Sequence, residues 1–193
     1  RTAGIGEAFG NVLIQDTTNK VDIQGGYAFY NEITDSSLVT DCPVFIQYFE
    51  KDTLHLVADT LSIQQDSITE LKLFRAYHNV LLYKPDLQAS CDSLIYSETD
   101  SMMYFMKTPI IWSDENQLTG KKINIRTFNG NVKNLFIHKK ATIISEADSL
   151  NSDHFNQIQG KTIEGLFNES NKLETVFVKG NGEVFYFLGE DKK

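Results

Sequence analysis

Four histidines, two cysteines and a surplus of carboxylates are the groups in this chain that could do chemistry. His55, His78, His138 and His154 share no spacing that would bring two ring nitrogens to one metal ion or one proton in transit. Asp and Ser recur together at Asp35-Ser36, Asp66-Ser67 and Asp100-Ser101. Each pair sits between apolar runs, where these side chains close turns on the backbone. Gly25-Gly26 is not followed by a helical pattern, so its amides make no phosphate loop. No carboxylate pair stands apart from a generally acidic surface. Cys42 and Cys91 lie in different strands of different repeats, which favours two free thiols over a disulfide. These residues give no catalytic group, no metal site and no cofactor site.

Charge and length narrow the partners. The formal net charge is −8, from 18 Lys+Arg against 26 Asp+Glu. Lys121-Lys122, Lys139-Lys140 and Lys192-Lys193 read as separate pairs on solvated faces, so nucleic acid is not an expected partner. No apolar run approaches the roughly 18 residues of a membrane helix. With 41% hydrophobic and 23% charged residues over 193 positions, the expectation is one globular domain spanning residues 1–193.

What organises the chain is a recurring stretch, Leu56-Val-Ala-Asp-Thr-Leu-Ser-Ile63. Altered copies open at Ile23, Leu87, Leu118 and Ile158, at spacings of 31 to 40 residues. That period is the mark of a stacked repeat. Each copy has Gly or Ala two places in: Gly25, Ala58, Ala89, Gly120 and Gly160. Around each copy lie two further apolar strands, with turn residues at Asp35, Gln65-Asp66, Thr99-Asp100, Asn129-Gly130 and Glu169-Ser170-Asn171. The runs are rich in Val, Ile, Leu, Phe and Tyr and too short for helices. The expectation is all-β, built from about five repeats, with essentially no helix. The chain begins and ends mid-repeat, which would leave edge strands near 9–14 and 184–188 open to head-to-tail pairing.

A phase break inside the recurring stretch predicts a fold line. Leu56 and Ala58 share one strand face, and Leu61 and Ile63 share the next, shifted by one residue. A strand that changes face at a fixed point must bend there, and a bend leaves little room for a side chain. Hence the predicted crease at Gly25, Ala58, Ala89, Gly120 and Gly160, with two sheets packed through an apolar interior. Before the crease the inward residues are Ile23, Leu56, Leu87, Leu118 and Ile158. After it they are Ala28, Tyr30, Leu61, Ile63, Leu94, Ile123, Ile125 and Ile163. A third column, through Phe74, Tyr104 and Phe136, is expected to face the same interior. In the remaining strands both faces are apolar, and inside cannot be told from outside. Such an interior is either a closed core or a groove for apolar chains.

The repeats resemble the OstA/LptA-like family. Gly10-Asn-Val-Leu-Ile14, Val21-Asp-Ile-Gln-Gly-Gly26, Leu56-Val-Ala-Asp-Thr-Leu61, Leu118-Thr-Gly-Lys-Lys-Ile123 and Ile158-Gln-Gly-Lys-Thr-Ile163 carry the resemblance. It implies a folded, V-shaped β-jellyroll in the periplasm of a Gram-negative cell. It also implies a groove for the acyl chains of lipopolysaccharide, assembly with like domains, and no catalysis. The inward residues above would then form the lipid groove. Three features depart from the pattern. Asp92 falls where an aliphatic is wanted, Glu146–His154 is inserted, and Met103, Tyr104 and Trp112 make the middle of the chain bulky. The alternative reading is a non-catalytic scaffold repeat with a closed core. A carbohydrate-binding repeat would need exposed aromatic rows, for which only Tyr83, Tyr96 and Trp112 are candidates.

Overall fold

The computed structural model describes residues 4–113, 116–128, 131–147, 154–168 and 173–187. They form sixteen strands, each antiparallel to its neighbours, and no helix. Six long strands run unbroken through a bend: β1 (Ile5–Asp16), β2 (Val21–Asn31), β7 (Lys72–Lys84), β8 (Leu87–Ser97), β13 (Asn131–Glu146) and β14 (Phe155–Phe167). Elsewhere the same path is made by a pair of short strands meeting at the bend. These pairs are β3 (Ser36–Thr40) with β4 (Val44–Tyr48), β5 (Thr53–Val57) with β6 (Thr60–Gln65), and β9 (Met102–Met106) with β10 (Ile110–Ser113). Two more follow: β11 (Asn116–Thr119) with β12 (Lys122–Phe128), and β15 (Leu173–Lys179) with β16 (Glu183–Phe185).

The pairing divides into two arms. One runs from the start of β1 through the end of β2, β3, β6, the start of β7, the end of β8, β9, β12, the start of β13 and the end of β14 to β15. The other runs from the end of β1 through the start of β2, β4, β5, the end of β7, the start of β8, β10, β11, the end of β13 and the start of β14 to β16. Two sheets thus share one crease, a folded β-jellyroll, as the phase break predicts.

The crease has two chemical halves on alternate strands. One half is a pair of residues in the left-handed region. Their φ values are 60° and 56° at Asp41-Cys42, and 60° and 54° at His78-Asn79. They are 60° and 56° at Lys107-Thr108, 58° and 52° at Lys139-Lys140, and 76° and 51° at Gly180-Asn181. Gly10, at 89°, opens the same step in β1. Each non-glycine residue held there costs about 1–2 kcal/mol. The step turns the strand and throws a carbonyl back at its neighbour. The amides of Gly26, Asp59, Lys121 and Lys161 donate to the carbonyls of Asp41, His78, Lys139 and Gly180 at 2.7–3.0 Å.

The other half is the small residue just before each of those amides. A Cβ on Gly25 would lie 2.5 Å from Cγ1 of Val39 and 2.8 Å from the carbonyl oxygen of Thr40. On Gly120 it would meet Cγ2 of Ile137 at 2.6 Å, and on Gly160 Cγ1 of Val178 at 2.5 Å. The residue that crowds each glycine is the register partner of the residue three places on: Ala28, Ile123 and Ile163. Beside Ala58 that place belongs to Ala76, the partner of Leu61. Glycine therefore goes with a branched neighbour and alanine with an alanine.

The third repeat corrects the sequence reading. The crease of β8 is at Cys91, not Ala89. The two-residue step at His78-Asn79 lies between the pairs Tyr77↔Ser93 and Val80↔Cys91, so it faces Asp92. Asp92 is then the counterpart of Gly26, Asp59, Lys121 and Lys161 on the outer ridge, and replaces no aliphatic. Ala89 is simply an inward residue before the bend. Most of the Glu146–His154 insertion, and the turns expected at Asn129-Gly130 and Glu169–Asn171, lie outside the described residues.

The local geometry makes a test. Gly25→Ala should destabilise by about 1–3 kcal/mol in urea unfolding, because the added methyl has backbone as well as side chain in its way. Adding Val39→Ala, which copies the Ala58–Ala76 arrangement, should recover part of that loss. Strict additivity of the two changes would mean that the methyl is not what the crease rejects.

Candidate functional site

Between the arms lies a cavity of about 1350 Å³. It extends well past the roughly 300–1,000 Å³ typical of sites for drug-sized ligands. From one arm its wall is built by Ala28, Ile63, Phe74, Leu94, Met103, Ile125 and Leu135. From the other come Ile14, Ile23, Phe45, Leu56, Leu82, Ile111 and Leu118. Apart from Glu7 on the edge strand β1, the charged residues of the lining lie at the hairpin tips, where Asp16, Asp52, Lys72, Lys84, Asp86 and Glu98 ring the opening. Lys84 reaches Asp86 at 3.0 Å and Asp52 at 3.4 Å. Among the described residues, a ring contact and an ion pair join the arms. The rings of Phe45 and Phe74 meet with centroids 5.1 Å apart, and Lys72 Nζ lies 3.9 Å from Asp16 Oδ2.

The residues expected inside divide three ways. Ile23, Ala28, Tyr30, Leu56 and Ile63 line the cavity, as do Phe74, Leu87, Leu94, Leu118 and Ile125. Leu61, Ile123 and Ile163 are buried to 1% or less in the core and stop short of the cavity wall, and Ile158 packs against the same core. Tyr104 and Phe136 are a correction: they face outward. Inward residues pair with inward residues across the sheet, and the row through Phe74 continues as Tyr96, Met103, Ile125 and Leu135. Tyr104 and Phe136 instead flank Asn124 on the other face. There Tyr104 donates to Asp100 and its ring sits under the Lys122 ammonium. Trp112 also faces out, so of the bulky central residues only Met103 narrows the groove.

Sequence reasoning missed Ile14, Phe45, Leu82, Met103, Ile111 and Leu135. The first five lie in strands that are apolar on both faces, where alternation carries no signal. Register decides them: Phe45 pairs with Ile23 and Leu56, and Leu82 with Leu56. Asp66 behaves as the turn residue the sequence suggests, its Oδ1 accepting from the amides of Ile68 and Thr69.

Comparison with protein-family models gives no match, and comparison with curated proteins gives none. Among solved structures the chain is similar to the crystal structure of LptH, the LptA-homologous periplasmic component of the lipopolysaccharide transport device of Pseudomonas aeruginosa. The TM-score is 0.50 at 13% identity, over 60% of this chain and 84% of that one. The fold is LptA-like.

The outer crease of this LptA-like fold carries a second arrangement. Because one ridge position falls on every strand, residues far apart in sequence line up. Asp41, Asp59 and Asp92 come first, followed by Lys107, Lys121, Lys139, Lys140 and Lys161. Lys121 and the Lys139-Lys140 pair, which read as separate in the sequence, therefore fall in one row, while Lys192-Lys193 lie outside the described residues. At the junction Asp92 accepts from Lys107 at 2.8 Å and from Ser93 at 2.6 Å, with His78 Nδ1 at 3.3 Å. Lys107 first, then Ser93 and His78, hold this carboxyl well below the usual range. Further along, burial and then Lys122 push the imidazole of His138 down.

Both cysteines are free thiols, Cys42 exposed on the ridge and Cys91 buried at the crease. Burial pushes the Cys91 thiol up to about 11. The thiolate is the reactive form. A disulfide reagent at pH 8 should therefore label Cys42 promptly and Cys91 only on unfolding. Equal labelling of both thiols in the folded protein would contradict the burial of the crease.

Proposed function

We propose that this chain, as a single domain, is a non-catalytic periplasmic carrier that holds the acyl chains of lipopolysaccharide in the groove between its arms during transport to the outer membrane. The observation that carries the reading is the 1350 Å³ apolar cavity with its charges held at the rim. Burying a methylene is worth about 0.8 kcal/mol, so an acyl chain of about a dozen carbons contributes roughly 10 kcal/mol gross, before ordering costs. A rim that mixes Asp16, Asp52 and Asp86 with Lys72 and Lys84 gives phosphorylated headgroups little extra attraction, so the acyl chains supply the affinity. The likeness to LptH supports the same reading.

The scaffold alternative needs a filled interior, and the size of the cavity speaks against it. Head-to-tail association with a second copy or another LptA-like domain belongs to the proposal. Its support is that, among the described residues, β1 pairs only with β2, and β16 only with β14, so each leaves an edge. On those edges Phe9, Leu13, Val184 and Phe185 are exposed.

Photo-cross-linking tests the groove. A benzophenone side chain at Met103 or Ile125 should capture lipopolysaccharide in cells, and one at Asn124, on the outer face, should not. Ile123, deep in the core, is expected to capture less than Ile125. If neither 103 nor 125 captures lipid in a folded protein, the scaffold reading stands in its place.

A further inference from the structure

We propose that the lysine row on the outer crease is a docking surface for an anionic lipid bilayer. The surface is separate from the groove, and the inference does not rest on what the groove carries.

The row is costly twice over. The chain is acidic, at −8 overall, yet five lysines stand on successive steps of one ridge. Neighbouring strands are about 4.8 Å apart, so the ammonium groups repel at short range. Lys107 is neutralised by Asp92, but Lys121, Lys139, Lys140 and Lys161 are exposed and have no acidic partner among the described residues. The second cost is conformational. Lys107, Lys139 and Lys140 hold left-handed backbone. Of the equivalent places elsewhere, Gly10, Asp41, His78, Asn79, Gly180 and Asn181 carry residue types that adopt it readily, while Cys42 and Thr108 bear the same strain as the lysines. The crease needs the conformation but has no need of a lysine, so the fold explains neither cost.

Three features select a bilayer among anionic partners. The row contains no arginine, so it offers point charges without the planar forks that grip a single phosphate. It lies on the outside of the bend; the hollow on the ridge is at the Asp92–Lys107 junction, lined by Asn79, Asp92, Lys107 and Thr108, and does not include Lys121, Lys139, Lys140 or Lys161, beside which Lys122 adds a further charge. The acidic half of the ridge, at Asp41, Asp59 and Asp92, would complement the lysines of a second copy. But two convex ridges meet along a line, which falls far short of the roughly 1,200 Å² of a stable interface. A fluid layer of anionic headgroups conforms to a ridge, and each lysine close to it adds about 1 kcal/mol, near fivefold in partitioning. Docked in this way, the hairpin tips that ring the groove point away from the bilayer.

Vesicle flotation of the whole chain tests this. Binding should appear with phosphatidylcholine vesicles containing phosphatidylglycerol, weaken with salt, and be absent with phosphatidylcholine alone. Lys139→Glu with Lys140→Glu should cut partitioning by at least about 25-fold. Lys20→Glu with Arg126→Glu, an equal change of charge at two exposed sites off the ridge, should leave it within about threefold. Should the ridge variant unfold, Lys139→Asn with Lys140→Gly keeps the conformation, removes the charge and should lose binding too. The proposal is overturned by equal binding to neutral vesicles, by equal loss in the off-ridge variant, or by no binding from folded protein. It is also overturned if sedimentation shows the ridge variant dissolving a dimer while vesicle binding is nil, which would make the partner a second copy.

Discussion

The bend depends on a steric exchange across one ladder position. A strand in a two-residue left-handed step gains length on its outer side, and its neighbour must give up a side chain to let it through. Where the neighbour brings Val39, Ile137 or Val178, the space that remains admits no Cβ at all. Where it brings Ala76, an alanine fits. The hydrogen bond thrown back from the step to the following amide then fixes the register on both sides. Everything else follows from repeating this exchange on every strand. The arms diverge from one line, their inner faces are set by it, and the cavity is the space they leave.

The same exchange separates two surfaces that share no residues. On the concave side, the inward residues of both arms make an apolar wall. On the convex side, the residues of the bend itself are pushed outward and stand in a row. The concave row is constrained in size and polarity by packing. The convex row is free of packing, so its chemistry is open to selection by whatever meets it. Its division into an acidic and a basic half, joined at the Asp92–Lys107 pair, is therefore information about the surroundings of the protein rather than about its stability.

Much of the fold was legible in the sequence, because a bend that recurs leaves a recurring phase break. Leu56, Ala58, Leu61 and Ile63 give it away, and their counterparts around Gly25, Gly120 and Gly160 repeat it. The limits were those of alignment without register. Around Cys91 the apolar spacing offered Ala89 as an equally good small residue, and only the partner strand tells them apart. Tyr104 and Phe136 read as inward in the sequence because their strands are apolar on both faces there, and only their register with Asn124 puts them outside. The lysine row was invisible for a related reason: apart from the adjacent Lys139 and Lys140 its members are 14 to 21 residues apart, and only the fold line makes them neighbours.

Each passage of the chain across the crease pairs with the passage before it and the one after it. Neighbours in the sheet are thus neighbours in the sequence, with no strand waiting for a distant partner. In such a chain order can start at any point and spread in both directions. A polypeptide delivered one end first through a pore could gather its passages as they emerge, each new hairpin closing on a template already in place. The unfolded remainder would then never have to search for its place in the sheet.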